Sequence, residues 1–224
     1  MTKPTIFLAA ALFSAAAGAA PAASVVPDPP SAAQPQPQPQ PEATPRLAYG
    51  LLMKYGAKLV FAPCRDPSYT LVEDVSPDRQ VSRGLEMAGL AEGRKLYVEL
   101  LGVVEGDSLR ASELNLAHAD GRCQRPGGSD EAWLARGDQP AWALAAGGER
   151  VTLKRQGRAD VNLPYRVFER QGEAALFSGQ GAEGSLDLRF EHKLCRDEAT
   201  GVVFGWTAFI RADGQPLRGC AWRR

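Results

Sequence analysis

The chain has 224 residues, enough for one large domain or two small ones. Lys plus Arg (26) equals Asp plus Glu (26), so the net charge is zero. That balance argues against a nucleic-acid binder working by bulk charge and against a polybasic membrane-surface protein.

The first elements set the expected compartment. Lys3 supplies a small positive region, and Ile6 to Ala17 is an apolar stretch too short to span a bilayer comfortably. Small residues at Ala17-Gly18-Ala19 and Ala20-Pro21-Ala22 then offer cleavage sites, so residues 1–22 read as a secretory signal peptide. A lipid anchor would need a cysteine just after the apolar stretch, and the first cysteine is Cys64. No membrane span is expected once the leader is removed, and the expected location is the periplasm. Residues 27–45 (PDPPSAAQPQPQPQPEATP) hold eight of the 17 prolines and no large apolar side chain. Residues 23–45 therefore read as a Pro/Gln-rich disordered tether of extended polyproline II character.

Four cysteines remain: Cys64, Cys123, Cys195 and Cys220. Four cysteines allow three disulfide pairings. The hydrophobic pattern breaks near residues 124–130 (QRPGGSD), separating the cysteines two and two, so the simplest pairing is Cys64–Cys123 and Cys195–Cys220. A zinc or copper site using His118 or His192, with His192 to Cys195 as H-x-x-C, is the sharper alternative. The chain has no C-x-x-C and only two histidines. No resident metal or cofactor is expected.

Residues 46–124 form the first expected module. Alternation predicts strands at Leu47–Lys54, Lys58–Pro63 and Tyr69–Glu73. Ser76-Pro77-Asp78 opens a helix carrying Val81, Leu85 and Ala88, and Gly89 stops it. Strands at Lys95–Val104 and Leu109–Ala119 follow. The order β-β-β-α-β-β is that of a five-stranded Greek-key barrel of the OB type. Gly50-Leu51-Leu52, Phe61-Ala62-Pro63-Cys64, the run from Leu96 to Gly102 and the closing Cys123 resemble the C-terminal OB domain of NlpE-type envelope lipoproteins. The resemblance implies an OB barrel whose two cysteines pair, in a metal-linked, surface-sensing setting. The lipid-bearing cysteine and the N-terminal C-x-x-C barrel of that family are missing here.

Residues 131–224 read as a small antiparallel β-barrel or sandwich, making the chain mainly all-β. Predicted strands are Ala141–Ala146, Arg150–Gln156, Val161–Phe168, Ala174–Ser178, Ser185–Leu194, Val202–Arg211 and Leu217–Trp222. In SLDLRFEHKL the alternation puts His192 on the apolar side, as a core residue, a ligand or a proton carrier. Asp197 and Glu198 read as a solvated loop. The run from Ala135 to Trp142, the run from Cys195 to Gly201, and Gly219-Cys220-Ala221 are similar to the G-N-E-P-F-W, C-x-D-x-M-S-G and G-C-A signatures of an uncharacterised family of small bacterial envelope β domains. The candidate binding residues are Gly137, Pro140, Trp142, His192 and Asp197. In a structural role, Gly137 serves a chain bend, Pro140 fixes φ and Trp142 plugs one end of the barrel.

No nucleophile or acid/base pair can be assembled, so no catalytic residue is nominated. The expected function is a non-enzymatic envelope protein that binds or senses an envelope protein or cell-wall component, not nucleic acid. The alternatives are an inhibitor of a lysozyme-type cell-wall enzyme, with Ser178 to Gly181 as an inserting loop, and periplasmic copper or zinc handling.

Overall fold

A computed structural model describes residues 43–123 and 130–224. The expected signal peptide and all but the last three residues of the tether lie outside the described residues, as does most of the break at 124–130. Among the described residues, no helix is long and apolar enough to cross a membrane.

The first half is a closed five-stranded barrel with one helix. Its strands are β1 (Arg46–Tyr55), β2 (Lys58–Pro63), β3 (Thr70–Asp74), β4 (Lys95–Glu105) and β5 (Ser108–His118). The ring runs β1-β2-β3-β5-β4 and back to β1; β3 and β5 are parallel and the other pairs antiparallel. Closure demands that β4 bend, and register shifts at Glu99/Leu100 and Leu101/Gly102 supply the bend. Gly102 is needed at that point, because a Cβ there would sit 2.4 Å from the Arg110 carbonyl oxygen.

The helix α1 (Gln80–Met87) follows a single 3-10 turn at Pro77–Arg79. Ser76 is not a simple cap for that turn. Its hydroxyl accepts from the Val81 amide (3.0 Å), while Asp74 accepts from the amides of Ser76 (2.9 Å) and Ser82 (2.7 Å). Burial opposes ionisation of Asp74, but these hydrogen bonds and those from the two serine hydroxyls outweigh it and hold its pKa low. Val81 and Leu85 then enter the barrel core beside Leu52, Leu96, Leu100 and Leu114.

The second half is a curled, antiparallel nine-stranded half-barrel. It comprises β6 (Glu131–Asp138), β7 (Ala141–Gly147), β8 (Arg150–Arg155), β9 (Val161–Pro164), β10 (Glu169–Gln171), β11 (Ala174–Gly181), β12 (Gly184–Glu191), β15 (Trp206–Ala212) and β16 (Gln215–Arg223). The order is β10-β11-β12-β15-β16-β6-β7-β8-β9. The sheet curls until β9, at one end, meets β11 and β12 near the other. Glu183 accepts from the Asn162 amide (3.0 Å) and side chain (2.7 Å), and Leu163 lies against Gly179 and Gly181. The concave side is filled by rings, with Trp133 edge-on to Trp206 (4.9 Å) and Phe168 stacked on Phe190 (5.4 Å).

Several expectations change. The predicted strand Val161–Phe168 stops at Pro164, and Ser185–Leu194 stops at Glu191. Ser178 to Gly181 is no loop. It belongs to β11 and pairs with β12 down to Gly181↔Gly184; its glycines make room for Leu163. Glu131–Asp138, absent from the prediction, is β6 and pairs with the last strand, β16.

The predicted strand Val202–Arg211 is two strands. A short hairpin, β13 (Cys195–Arg196) and β14 (Val203–Phe204), leaves the half-barrel and adds to the barrel sheet through Val203↔Ala117 and Phe204↔Leu116. After Gly205 the chain re-enters the half-barrel as β15. The described residues thus form one compact unit, with strand pairing crossing between the two cores.

Candidate functional site

Residues 135–142, 195–201 and 219–221 converge on one place. Arg136 projects from β6, Asp197 stands at the tip of the β13–β14 hairpin, and Cys220 lies on β16, where its Cα partner is Arg136. Cys220 is bonded to Cys195 (S–S 2.04 Å), and Cys64 is bonded to Cys123 (2.00 Å). Both pairings are those expected, and the described residues contain no free cysteine.

Asp197 is a correction to the solvated-loop reading, since its side chain is only 3% exposed. Its carboxylate accepts from Arg136 Nε (2.6 Å) and Nη2 and from the Thr200 amide (2.9 Å); Arg136 Nη2 also donates to the Thr200 hydroxyl (2.8 Å). Burial works against the charge, but the hydrogen bonds and the Arg136 charge prevail, and the Asp197 pKa lies below the usual range. One ion pair therefore ties the hairpin tip to β6. We expect Asp197→Asn to cost about 2 kcal/mol, because it leaves Arg136 without its charged partner and Arg136 is partly open to water. The pair's contribution is present above the unfolded carboxylate pKa, about 3.9, and fades as pH falls through the lower folded value. Denaturant melts at pH 7 and pH 3 check this: equal losses at both pH values would refute it.

Around this pair lies a cleft of about 500 Å³ walled by Arg136, Asp138, Gln139, Asp197, Arg218 and the Cys195–Cys220 bridge. Gln139 and Arg218 also border a larger groove, of about 1060 Å³, that crosses β11, β12, β15 and β16. The two depressions share a wall.

Gly137 lines the cleft but makes no bend. It sits in regular β6 opposite Trp142, where a Cβ would meet Trp142 Nε1 at 2.4 Å. The buried Trp142 indole lies against Gly137 and Gly219, so both glycines are space for a ring. Pro140 is exposed in the tight turn between β6 and β7, after a cis peptide bond.

His192 belongs elsewhere. It is half-buried just past β12, with its ring 4.8 Å from that of Trp206 and its Nε2 enclosed with no hydrogen-bond partner among the described residues. Burial lowers its pKa against the opposing charges of Glu113 and Glu173. It borders a polar seam between the halves that sequence reasoning missed. Trp206 Nε1 donates to Glu113 (2.6 Å), and the Arg223 guanidinium lies 3.4 Å from Glu113 and over the rings of Trp133 and Trp206. Asn115 accepts from the Arg223 amide (2.7 Å) and donates to Glu99 (2.7 Å), which also accepts from the Tyr97 hydroxyl (3.0 Å).

Glu99 is 2% exposed, and desolvation raises its pKa despite the hydrogen bonds from Asn115 and Tyr97. A carboxyl raised in the fold binds more protons folded than unfolded. On Glu99's account, stability should therefore rise as pH drops from neutrality toward the unfolded value near 4.3. Glu99→Gln should flatten that slope; an unchanged pH dependence of the unfolding free energy would refute it.

Among the described residues, no three His, Cys, Asp or Glu side chains gather as a metal-ligand set. The sulfur atoms of all four cysteines are consumed in the two bridges.

Comparison with protein-family models, with curated proteins and with solved structures finds nothing that matches this chain.

Proposed function

We propose that this is an exported, non-enzymatic protein of the bacterial envelope: an OB-type barrel and a half-barrel on a proline-rich tether, binding an envelope partner. The observation that carries the reading is the two disulfides, Cys64–Cys123 within the barrel chain and Cys195–Cys220 between the β13–β14 hairpin and β16, a state that belongs to an oxidising compartment. The resemblance of residues 46–124 to the NlpE-type OB domain supports the same compartment. Support for binding is geometric: three signature segments meet at one cleft, and that cleft opens onto the larger groove. The inhibitor reading loses its inserting loop, because Ser178 to Gly181 is paired strand.

Intact-mass spectrometry of the protein recovered from the periplasm, with and without reduction, tests the compartment. The expected result is loss of the leader and, on reduction, a gain of the hydrogens of two disulfides. A mature chain carrying four free thiols overturns the proposal. For binding, the immobilised mature protein should retain a component of isolated envelope fractions in a salt-sensitive way. Retention of nothing from any fraction overturns that half.

A further inference from the structure

We infer that the groove on the outer face of the half-barrel is the docking site for an extended acidic polypeptide segment of the partner; this deepens the binding reading above and rests on it. The face can be read from strand register. Ala175, Phe177, Leu188, Phe190, Ile210 and Leu217 turn inward to the core. The alternate positions therefore turn outward. Pairings Leu176↔Arg189, Arg189↔Phe209 and Phe209↔Arg218 line these up as one row across four strands. A second row beside it runs Ser178, Asp187, Arg211 and Pro216.

The rows carry more positive charge than the protein itself neutralises. Asp187 faces Arg211 in register, but its carboxylate accepts from the Ser178 hydroxyl (2.5 Å), and Arg211 makes no ion pair among the described residues. Arg218 likewise pairs with no carboxylate among the described residues; its guanidinium lies over the Phe209 ring at 5.5 Å. At one end the groove is bounded by Arg166, whose guanidinium donates to the Ser178 carbonyl (2.8 Å), and by Val167, an apolar side chain 82% exposed.

This chemistry selects the occupant. Arg189 and Arg218 stand two strands apart, roughly 10 Å at ordinary strand spacing, with Phe209 between them. A polyproline II chain advances about 3.1 Å per residue with three residues per turn, so residues three apart share a face at about 9 Å. Carboxylates at that period meet the guanidinium of Arg218 and the Nη groups of Arg189, whose Nε is already held by Glu191 (2.7 Å), and the intervening turn packs on Phe209, the way extended chains sit on aromatic grooves. A densely charged polyphosphate fits worse, since Glu169 and Asp187 lie within the same groove.

The probe is a fluorescent 15-residue peptide with glutamate at every third position and proline or alanine between, titrated into the full mature protein. Binding should be salt-sensitive, weaken at least tenfold in Arg211→Glu/Arg218→Glu, persist in the control Arg150→Glu on β8, and return when that double variant meets a lysine-for-glutamate peptide. The double variant's thermal midpoint, expected unchanged, shows that it is folded. No binding by the wild type, undiminished binding by the double variant, or equal competition by polyphosphate overturns the inference. Such a failure leaves the export reading untouched, because the mass spectrum decides that separately, and retention of an envelope component by the double variant would place binding elsewhere.

Discussion

Gly205→Ala is expected to cost at least about 3 kcal/mol and to split unfolding into two transitions. Gly205 is where the chain passes from the barrel sheet to the half-barrel sheet. Phe204 pairs with Leu116 on one side, and Trp206 pairs with Ala221 on the other. The Gly205 amide donates to the Asn115 carbonyl (3.0 Å), and its own carbonyl accepts from the buried Gln80 side chain (3.1 Å). A Cβ at 205 would sit 1.7 Å from the Leu114 carbonyl oxygen. That neighbour is backbone in the middle of β5, so no side-chain rotation relieves the clash. Either β14 leaves β5 or β5 distorts, and both exceed ordinary overpacking costs of about 1–3 kcal/mol. Peeling β14 away also withdraws Val203 from the barrel core and loosens Trp206 over Glu113, the contacts that couple the two halves. Gly214→Ala is the control: nothing lies near its Cβ, and only the positive φ of +80° is strained, costing on the order of 1 kcal/mol. Calorimetry on both variants decides the matter. A Gly205→Ala protein that melts once, near the wild-type midpoint, would refute this account of the crossing.

The barrel was legible because its signals are local. Alternation in β1, β2 and β4, the Ser76-Pro77 helix start and the Gly89 stop each report on a few neighbouring residues. The second half was legible in most of its strands, since β7, β8, β11, β12 and β16 fall where alternation puts them, but not in its sheet order. β6 lies outside the predicted strands, though Trp133, Ala135 and Gly137 alternate toward the core there. The seam between the halves had a signal for one member only: Glu113 shares the parity of Leu109 and Ala111 on β5, so a carboxylate was being placed on an inward face. Glu99 had none. It lies opposite the core-facing Leu96, Val98 and Leu100, on the outside of the barrel, and is buried because the end of β16 covers it. Long-range docking of that kind leaves no periodicity. The same holds for Asp197, whose partner Arg136 is 61 residues away. The outer-face groove depends on the register of four strands, which alternation cannot supply.

Removing the two disulfides separately should cost unequal amounts, in the order opposite to loop length. The chain-entropy model assigns about 4.2 kcal/mol to Cys64–Cys123, which closes a separation of 59, and about 3.5 kcal/mol to Cys195–Cys220, which closes 25. Loop length alone therefore makes the barrel bridge the more important. Packing reverses this. Cys220 is buried in a cluster with Val202 and Phe204, joined by Leu116 and Trp222, and Phe204 stacks on Trp222 at 4.8 Å. Cys123, by contrast, is exposed at the end of the barrel chain. A serine hydroxyl at 220 sits in that apolar cluster with the serine at 195 opposite it, and burying this hydroxyl pair adds about 1–3 kcal/mol. Opening the bridge also frees the hairpin whose tip Asp197 anchors to Arg136, so the hairpin's hold on β5 weakens with it. Cys195→Ser/Cys220→Ser should thus lose about 5 kcal/mol against about 4 kcal/mol for Cys64→Ser/Cys123→Ser, measured by guanidinium unfolding of each double variant. A larger loss for the barrel pair would mean that loop entropy governs both bridges and that the cluster around Cys220 holds the two halves together far less than its burial implies.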